Sequence, residues 1–361
     1  MKKFTQKKVL PFYGICLVFL GYACQNKEAE PLQPYSTEAL TKELKGLSLP
    51  SFKQLRAAQV TTTAATITPS PTATSVYSGI AGIPSAGTVP AVVTQAVGDM
   101  NTALSQAGAT ATDVNTAFTP QVLNNLAAGG QLPGSLQTTV NTLTASSVLQ
   151  PYLPTFTYPT VNGQQVGPTT SSVNGPTPVT LQVGAITVKP INYSGGDDCF
   201  KAANDLFDQK IASFPAELIA QLGTINTIYS QDKTAAENER PGCVSDKQSQ
   251  YTSTIVTSKQ NLANNLAYLN ASQNTLGTAS YNTLKALIYV LYSYDIQLYY
   301  KVQTAEINAC SIKADVQLAE VKVTRDTALN TAKTNFNNTV TAAQTLVLKL
   351  YDSCHNQGSA R

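Results

Sequence analysis

Apolar side chains recur at helical spacing over one long stretch of the chain, from Cys199 to Cys354. In its last arm, Ile312, Val316, Ala319 and Val323 step by 4, 3 and 4 residues. Leu329, Ala332, Phe336, Val340, Ala343, Val347, Leu350 and Cys354 continue the alternation. Residues three and four apart share one helix face, so these positions form one apolar stripe. The first arm has a similar stripe in Phe200, Ala203, Phe207, Ile211, Phe214, Leu218, Leu222 and Ile225. Pro215 and Gly223 lie inside it and predict a kink or a short break. Between the arms, Tyr251, Ile255, Leu262, Leu266 and Leu269 make a third stripe. Leu284, Ile288, Leu291, Leu298, Val302, Ala305 and Ala309 make a fourth. Gly277 separates them and can take the left-handed conformation that ends a helix. The pattern predicts an all-α fold. Its centre is an elongated antiparallel bundle of about four long helices with coiled-coil-like spacing, over residues 196–356, with a tail at 357–361.

Four of the six cysteines lie in this stretch. Cys199 and Cys243 are 44 residues apart, and so are Cys310 and Cys354. Arms of equal length running in opposite directions would bring Cys199 beside Cys354 and Cys243 beside Cys310. Four cysteines allow three connectivities, and this nested one suits the geometry best. The rival joins Cys199 to Cys243 and Cys310 to Cys354. A straight helical arm holds those partners ~66 Å apart, against the roughly 6 Å that a disulfide spans. The rival therefore needs each arm to fold back, which Pro215 and Gly223 permit in the first arm only. A metal or redox site is the functional alternative. It is disfavoured because the chain has no Cys-x-x-Cys and a single histidine, His355, whereas zinc sites have close ligand pairs.

Residues 61–195 break the helical pattern. From Val60 to Ser194 the only charged residues are Asp99, Asp113 and Lys189, and Thr, Ser, Ala, Pro, Gly and Val dominate. This is a low-complexity, Thr/Ala/Pro-rich region, with Thr61 to Thr74 and Gly163 to Pro178 reading as coil or extended linker. Two pieces look helical. Ala91 to Ala107 follows Pro90, and Asp113 is placed to cap a helix running to Ala128 before Gly129-Gly130. Val179 to Val188 alternates apolar and polar positions, as a short strand or as an extended segment lying on the bundle. The region is expected to add little stability of its own, with proteolysis releasing a resistant fragment that starts near Gly195; the alternative is that this low-charge segment packs along the bundle. Upstream, residues 24–60 form a tether with one short helix around Thr37 to Leu44.

The N-terminus carries an export pattern. Lys2, Lys3, Lys7 and Lys8 precede an apolar run to Ala23, too short and wrongly flanked for a spanning helix. Residues 1–23 read as a signal peptide. Its end, Leu20-Gly21-Tyr22-Ala23-Cys24, resembles a bacterial lipobox: Gly21 and Ala23 supply the small residues, and Tyr22 departs from the pattern. The resemblance implies acylation of Cys24 as the first residue of the mature chain. An ordinary cleaved signal would leave Cys24 as an odd thiol. Cys16 lies inside the apolar segment with no small residue before it and is the poorer candidate; its removal with the signal and lipidation of Cys24 leave four cysteines, an even number suited to an oxidising compartment. Gln25-Asn26-Lys27-Glu28-Ala29-Glu30 is similar to a lysine-plus-acidic signal that sends some lipoproteins of Gram-negative bacteria to the cell surface. It reads equally well as a solvated tether.

Charge and motifs narrow the function. The formal charge is +3, but the signal holds four lysines and no acid. The mature chain has 20 Lys+Arg against 21 Asp+Glu. No basic footprint for nucleic acid or anionic lipid results. One histidine removes most histidine-based catalysis and metal binding, and no G-x-S-x-G, P-loop or H-E-x-x-H is present. No catalytic residue, metal ligand or cofactor is assigned. Gly196-Asp197-Asp198 reads as a helix cap with favourable dipole charge. Asp326-Thr327-Ala328 fits an O-glycosylation tripeptide of exported bacterial proteins. The tyrosine-rich run Ser280 to Lys301 offers Tyr281, Tyr289, Tyr292 and Tyr299 as a candidate binding face, since tyrosine joins large area to a polar handle.

The expected protein is therefore an outer-membrane lipoprotein of the cell envelope, exposed at the surface, with a non-enzymatic binding or scaffolding role. Its partners would be the membrane, through the lipid anchor, and an envelope protein or surface glycan, with no nucleic acid. The alternatives are an envelope enzyme using Asp, Glu or Tyr groups gathered by the fold, and a membrane-inserting helical protein. Against the last, Lys285, Asp295 and Gln297 make stable spanning by Ser280 to Lys301 costly.

Overall fold

The computed structural model describes residues 35–182 and 198–356, apart from Phe52 and Gln54. The Cys24 lipobox, the Gln25–Glu30 hexapeptide, the Gly196-Asp197 cap and the expected cut near Gly195 lie outside those residues. The fold is all-α, with short β ribbons. It divides into two compact units. The first comprises residues 1–48, 188–214 and 338–361, and the second residues 49–187 and 215–337.

Among the described residues, the first unit holds three helical pieces. They are α1 (Thr37–Gly46), α7 (Asp198–Ile211) and the end of α9 (Gln273–Asn356). Ser36 caps α1, its hydroxyl accepting from the Ala39 N–H at 3.2 Å. Leu40 and Leu44 of α1 are buried, as are Phe200, Ala203 and Phe207 of α7 and Val340, Ala343, Val347 and Leu350 of α9. The Phe200 and Tyr351 rings pack at 5.2 Å, and Tyr351 hydrogen-bonds Asn204. Cys199 is bonded to Cys354.

The second unit is built on α8 (Phe214–Ala271) and the first part of α9. Four separate long helices are not formed here. α8 runs through Pro241, Gly242 and Cys243, and α9 runs through Cys310, so two long helices replace four. The reason lies in the register. Each cysteine pair is equidistant in sequence from a point between Leu276 and Gly277. One chain reversal there is enough to bring partners opposite each other, and Cys243 is bonded to Cys310. The break in the first arm falls at Ala212 and Ser213. Pro215 then sits in the first turn of α8, where its missing N–H costs no helical bond. Gly223 stays helical.

Gly277 carries the reversal with φ 73° and ψ 157°. That backbone region is open to glycine and strained for any residue with a Cβ, although nothing crowds the added carbon there. Gly277→Ala is thus expected to destabilise by about 1–3 kcal/mol through backbone strain alone. A thermal melt checks this, and an unchanged melting temperature would show that the turn tolerates another conformation.

The Thr/Ala/Pro-rich region is folded rather than linker-like over much of its length. It forms α2 (Pro71–Ala86), α3 (Ala91–Ala107), α4 (Ala111–Ala117), α5 (Pro120–Ala127) and α6 (Gly134–Ala145). These helices share one core with the hairpin end of α8 and α9, where Ile80, Ile83, Met100, Leu126, Leu143, Leu269, Leu284 and Val290 are all buried. The helix expected from Asp113 to Ala128 is two helices, because Pro120 starts α5. Asp113 is not the cap. It is the third residue of a capping box, and Thr110 is the N-cap.

Ribbons bracket this helical segment. β1 (Thr62–Thr63), β4 (Thr160–Val161) and β5 (Gln164–Gln165) form one antiparallel sheet in the order β1-β4-β5. β2 (Thr66–Thr68) pairs with β3 (Thr155–Thr157), with Ile67 opposite Phe156. Side chains of α9 stand in for missing strand partners. Gln317 accepts from the Val60 N–H at 2.9 Å and donates to the Ala58 carbonyl at 2.9 Å. Glu306 accepts from the Ala65 N–H at 2.7 Å. The apolar alternation from Val179 is not a strand over 179–182. Asn330 instead holds that extended backbone, donating to the Thr180 carbonyl at 2.9 Å and accepting from the Gln182 N–H at 3.0 Å. Residues 183–188 lie outside the described residues.

Candidate functional site

A groove of about 610 Å³ opens in the second unit between α2, α8 and α9. Helical spacing builds each of its walls. On α9, Ile288, Tyr292, Asp295 and Tyr299 recur at steps of 4, 3 and 4 and make the floor. On α2, Tyr77 is flanked by Thr74 and Ser78. On α8 the facing side carries Ser253, Thr254, Thr257, Ser258, Asn261, Asn264 and Asn265, with Leu262 and, at one end, Tyr268. Tyr268 is 47% exposed. The α8 stripe of Tyr251, Ile255, Leu262 and Leu269 is buried in the core. The hydroxyl and amide side chains beside it are left for the groove.

Asp295 is the one charged residue among the described residues lining the groove. It is partly buried. Burial pushes its carboxyl up to about 7, with no hydrogen bond or opposite charge from the described residues to offset it. The tyrosines around it respond. Burial, then the Asp295 charge, raises the Tyr299 hydroxyl to about 12. Burial, then Asp295 and Tyr299, raises Tyr77 further. Tyr292 is 4% exposed, and its hydroxyl is buried with no hydrogen-bond partner among the described residues. A buried hydroxyl of the floor thus stands without a partner among the described residues, a situation that folded proteins rarely leave standing.

The structure divides the four-tyrosine candidate face. Tyr292 and Tyr299 lie in the groove. Tyr289 is buried against Phe118 with ring centroids 5.3 Å apart. Tyr281 donates to Asn270 Oδ1 at 2.7 Å, near the hairpin turn. Tyr77, Tyr268, Asp295 and the polar face of α8 were missed in the sequence. Their signals were present. Asp295 is the sole charge between Ala286 and Tyr300, and Ser253 to Asn265 repeats uncharged polar residues beside the apolar stripe.

The other candidate residues have structural roles. The four helical cysteines form disulfides. Asp326 is fully buried. It accepts from Lys322 at 2.7 Å and from Arg325 at 2.7 and 2.8 Å. Burial raises its carboxyl, but those donors outweigh this and hold it below its ordinary value. Thr327 beside it is exposed, while Ala328 is buried. Among the described residues, no group of three or more His, Cys, Asp or Glu is placed to hold a metal ion. Among the same residues, no helix is long and apolar enough to cross a membrane.

Compared with known proteins, the chain matches no family model, no curated protein and no solved structure.

Proposed function

We infer that this protein is a cell-envelope lipoprotein, anchored to the outer membrane through lipid on Cys24, with a non-enzymatic binding role at the groove between α2, α8 and α9. The groove carries the binding part of this reading. It has the size of a ligand site, and its floor holds a carboxylate raised by burial and, among the described residues, a buried hydroxyl without a partner. The export pattern and the lipobox-like Leu20 to Cys24 support the anchor. The lysine-plus-acidic hexapeptide after Cys24 supports display at the cell surface.

The second reading is an envelope enzyme that uses Asp295 as an acid or base. Its support is the carboxyl pushed up to about 7, close to where a proton-transfer group works well. Glycoside hydrolysis ordinarily needs a pair of carboxylates, and the lining residues supply one. Binding without turnover is therefore the better reading.

Mass spectrometry of the mature N-terminus is expected to find a diacylated or triacylated Cys24. An unmodified Cys24, or a chain that begins elsewhere, would remove the anchor. Protease shaving of intact cells tests surface display, which is overturned if the protein is cut only after the outer membrane is permeabilised.

A further inference from the structure

We propose that the groove between α2, α8 and α9 binds an uncharged oligosaccharide. This rests on the reading of the groove as a binding site and assigns its ligand class. A sugar ring presents apolar C–H faces and a rim of hydroxyls that both donate and accept. It therefore asks for flat apolar surface and for dense, uncharged hydrogen-bonding groups in the same place. The groove offers both. Tyr77 and Tyr299, both partly exposed, and the exposed Tyr268 supply ring area with polar tips. The α8 wall supplies hydroxyls and amides, with Ser253, Thr257, Asn261 and Asn264 exposed, and each amide can donate and accept.

Asp295 sets the polarity of the ligand. Above neutral pH, where it is mostly ionised, this carboxylate only accepts, through two oxygens, so it is completed by a pair of donors such as neighbouring sugar hydroxyls. Its hydrogen bonds to them are of the stronger, charge-assisted kind. Among the described residues, the lining contains no Lys or Arg. Phosphates, sulfates and acidic sugars would face Asp295 with nothing to balance them. A quaternary ammonium or a peptide amine would suit a carboxylate among tyrosines. Such a ligand uses the floor alone and leaves the Ser, Thr and Asn wall of α8 without a role. An oligosaccharide uses both, and 610 Å³ lies within the usual range of ligand sites.

The test titrates the full-length protein with short neutral gluco-, manno- and xylo-oligosaccharides, with oligogalacturonate and with tetramethylammonium. Only four of the 17 Tyr line the groove, so calorimetry rather than tyrosine emission reads binding and gives the affinity. A neutral oligosaccharide is expected to bind. Asp295→Asn and Asn261→Ala are each expected to weaken it by roughly tenfold. Asn261 is exposed, so its variant separates binding from folding. Thr102→Ala, on the exposed side of α3, is expected to change nothing. Binding of oligogalacturonate in place of the neutral sugars overturns the assignment as uncharged, and binding of tetramethylammonium in their place overturns the carbohydrate assignment; either, if lost in Tyr299→Ala, keeps the groove as a binding site. No binding by any member of the panel overturns both.

Discussion

Opening the two disulfides is expected to destabilise the folded chain by roughly 4–5 kcal/mol per bond when the whole chain unfolds. The bonds close loops of 155 and 67 residues, and in the chain-entropy account each removes freedom from the unfolded state. The loops are nested, so the two effects do not simply add. Closing the inner loop shortens what the outer bond still restricts. The bonds also protect different cores. Cys243–Cys310 belongs to the unit that contains the large shared core of α2 to α6 with α8 and α9. Cys199–Cys354 belongs to the unit built from α1, α7 and the end of α9, whose buried set is small. Small cores depend on such staples. If that unit opens alone, the loop released is shorter than the full one, and the bond contributes about 3 kcal/mol. This is comparable with what a core of that size supplies. Cys199→Ser with Cys354→Ser is therefore expected to expose α1 and α7 to hydrogen exchange while α2 to α6 stay protected. Cys243→Ser with Cys310→Ser is expected to lower the melting temperature of the second unit and leave it folded. Unchanged protection of α1 and α7 in the first double variant would show that their packing suffices without the bond.

The helical stripes and the cysteine register were legible because both are sums of local, periodic choices. Val340, Ala343, Val347 and Leu350 are buried in the order that their spacing predicts. The number of helices was not legible. A stripe shows which face is buried but not whether the chain turns at Pro241-Gly242, and helix α8 continues through both. The Thr/Ala/Pro-rich region misled for a related reason. The helix expected over Ala91 to Ala107 is α3, but α2 and α6 were not legible as helices, and α6 has no side-chain cap. What makes them fold is burial of Ile80, Met100 and Leu143 against Leu269 and Leu284, far away in sequence. A window of composition cannot register such contacts. The groove was half legible. Tyr292 and Tyr299 stood out as a tyrosine face, but Tyr77 reaches the same place from more than 200 residues upstream. Asp295 read as a cost to membrane spanning, and its meaning changes once it stands beside the polar side of α8.

Asp295→Asn is expected to stabilise the protein above neutral pH and to leave it nearly unchanged in acid. The carboxyl is at about 7 in the folded chain, against an ordinary 3.8. The folded state therefore holds this proton over a pH range in which the unfolded state has lost it. Below the ordinary value both states are protonated, and Asp295 costs nothing. As pH rises from about 4 to about 7 the folded state loses stability steadily, and above that the loss is complete. Its full size is ~4 kcal/mol, less what water reaching the groove returns. The asparagine amide has no charge to desolvate, though burying it takes back part of the gain. Wild type and variant should thus melt together near pH 4 and diverge by several degrees near pH 8, with the variant higher. Identical pH profiles would mean that the carboxylate is solvated or paired in the folded chain. The same experiment bears on why the residue is there. A carboxylate that weakens the fold and meets no partner within it is well placed to be completed by donors from outside. Addition of a bound oligosaccharide at pH 8 should then raise the melting point of wild type more than that of Asp295→Asn.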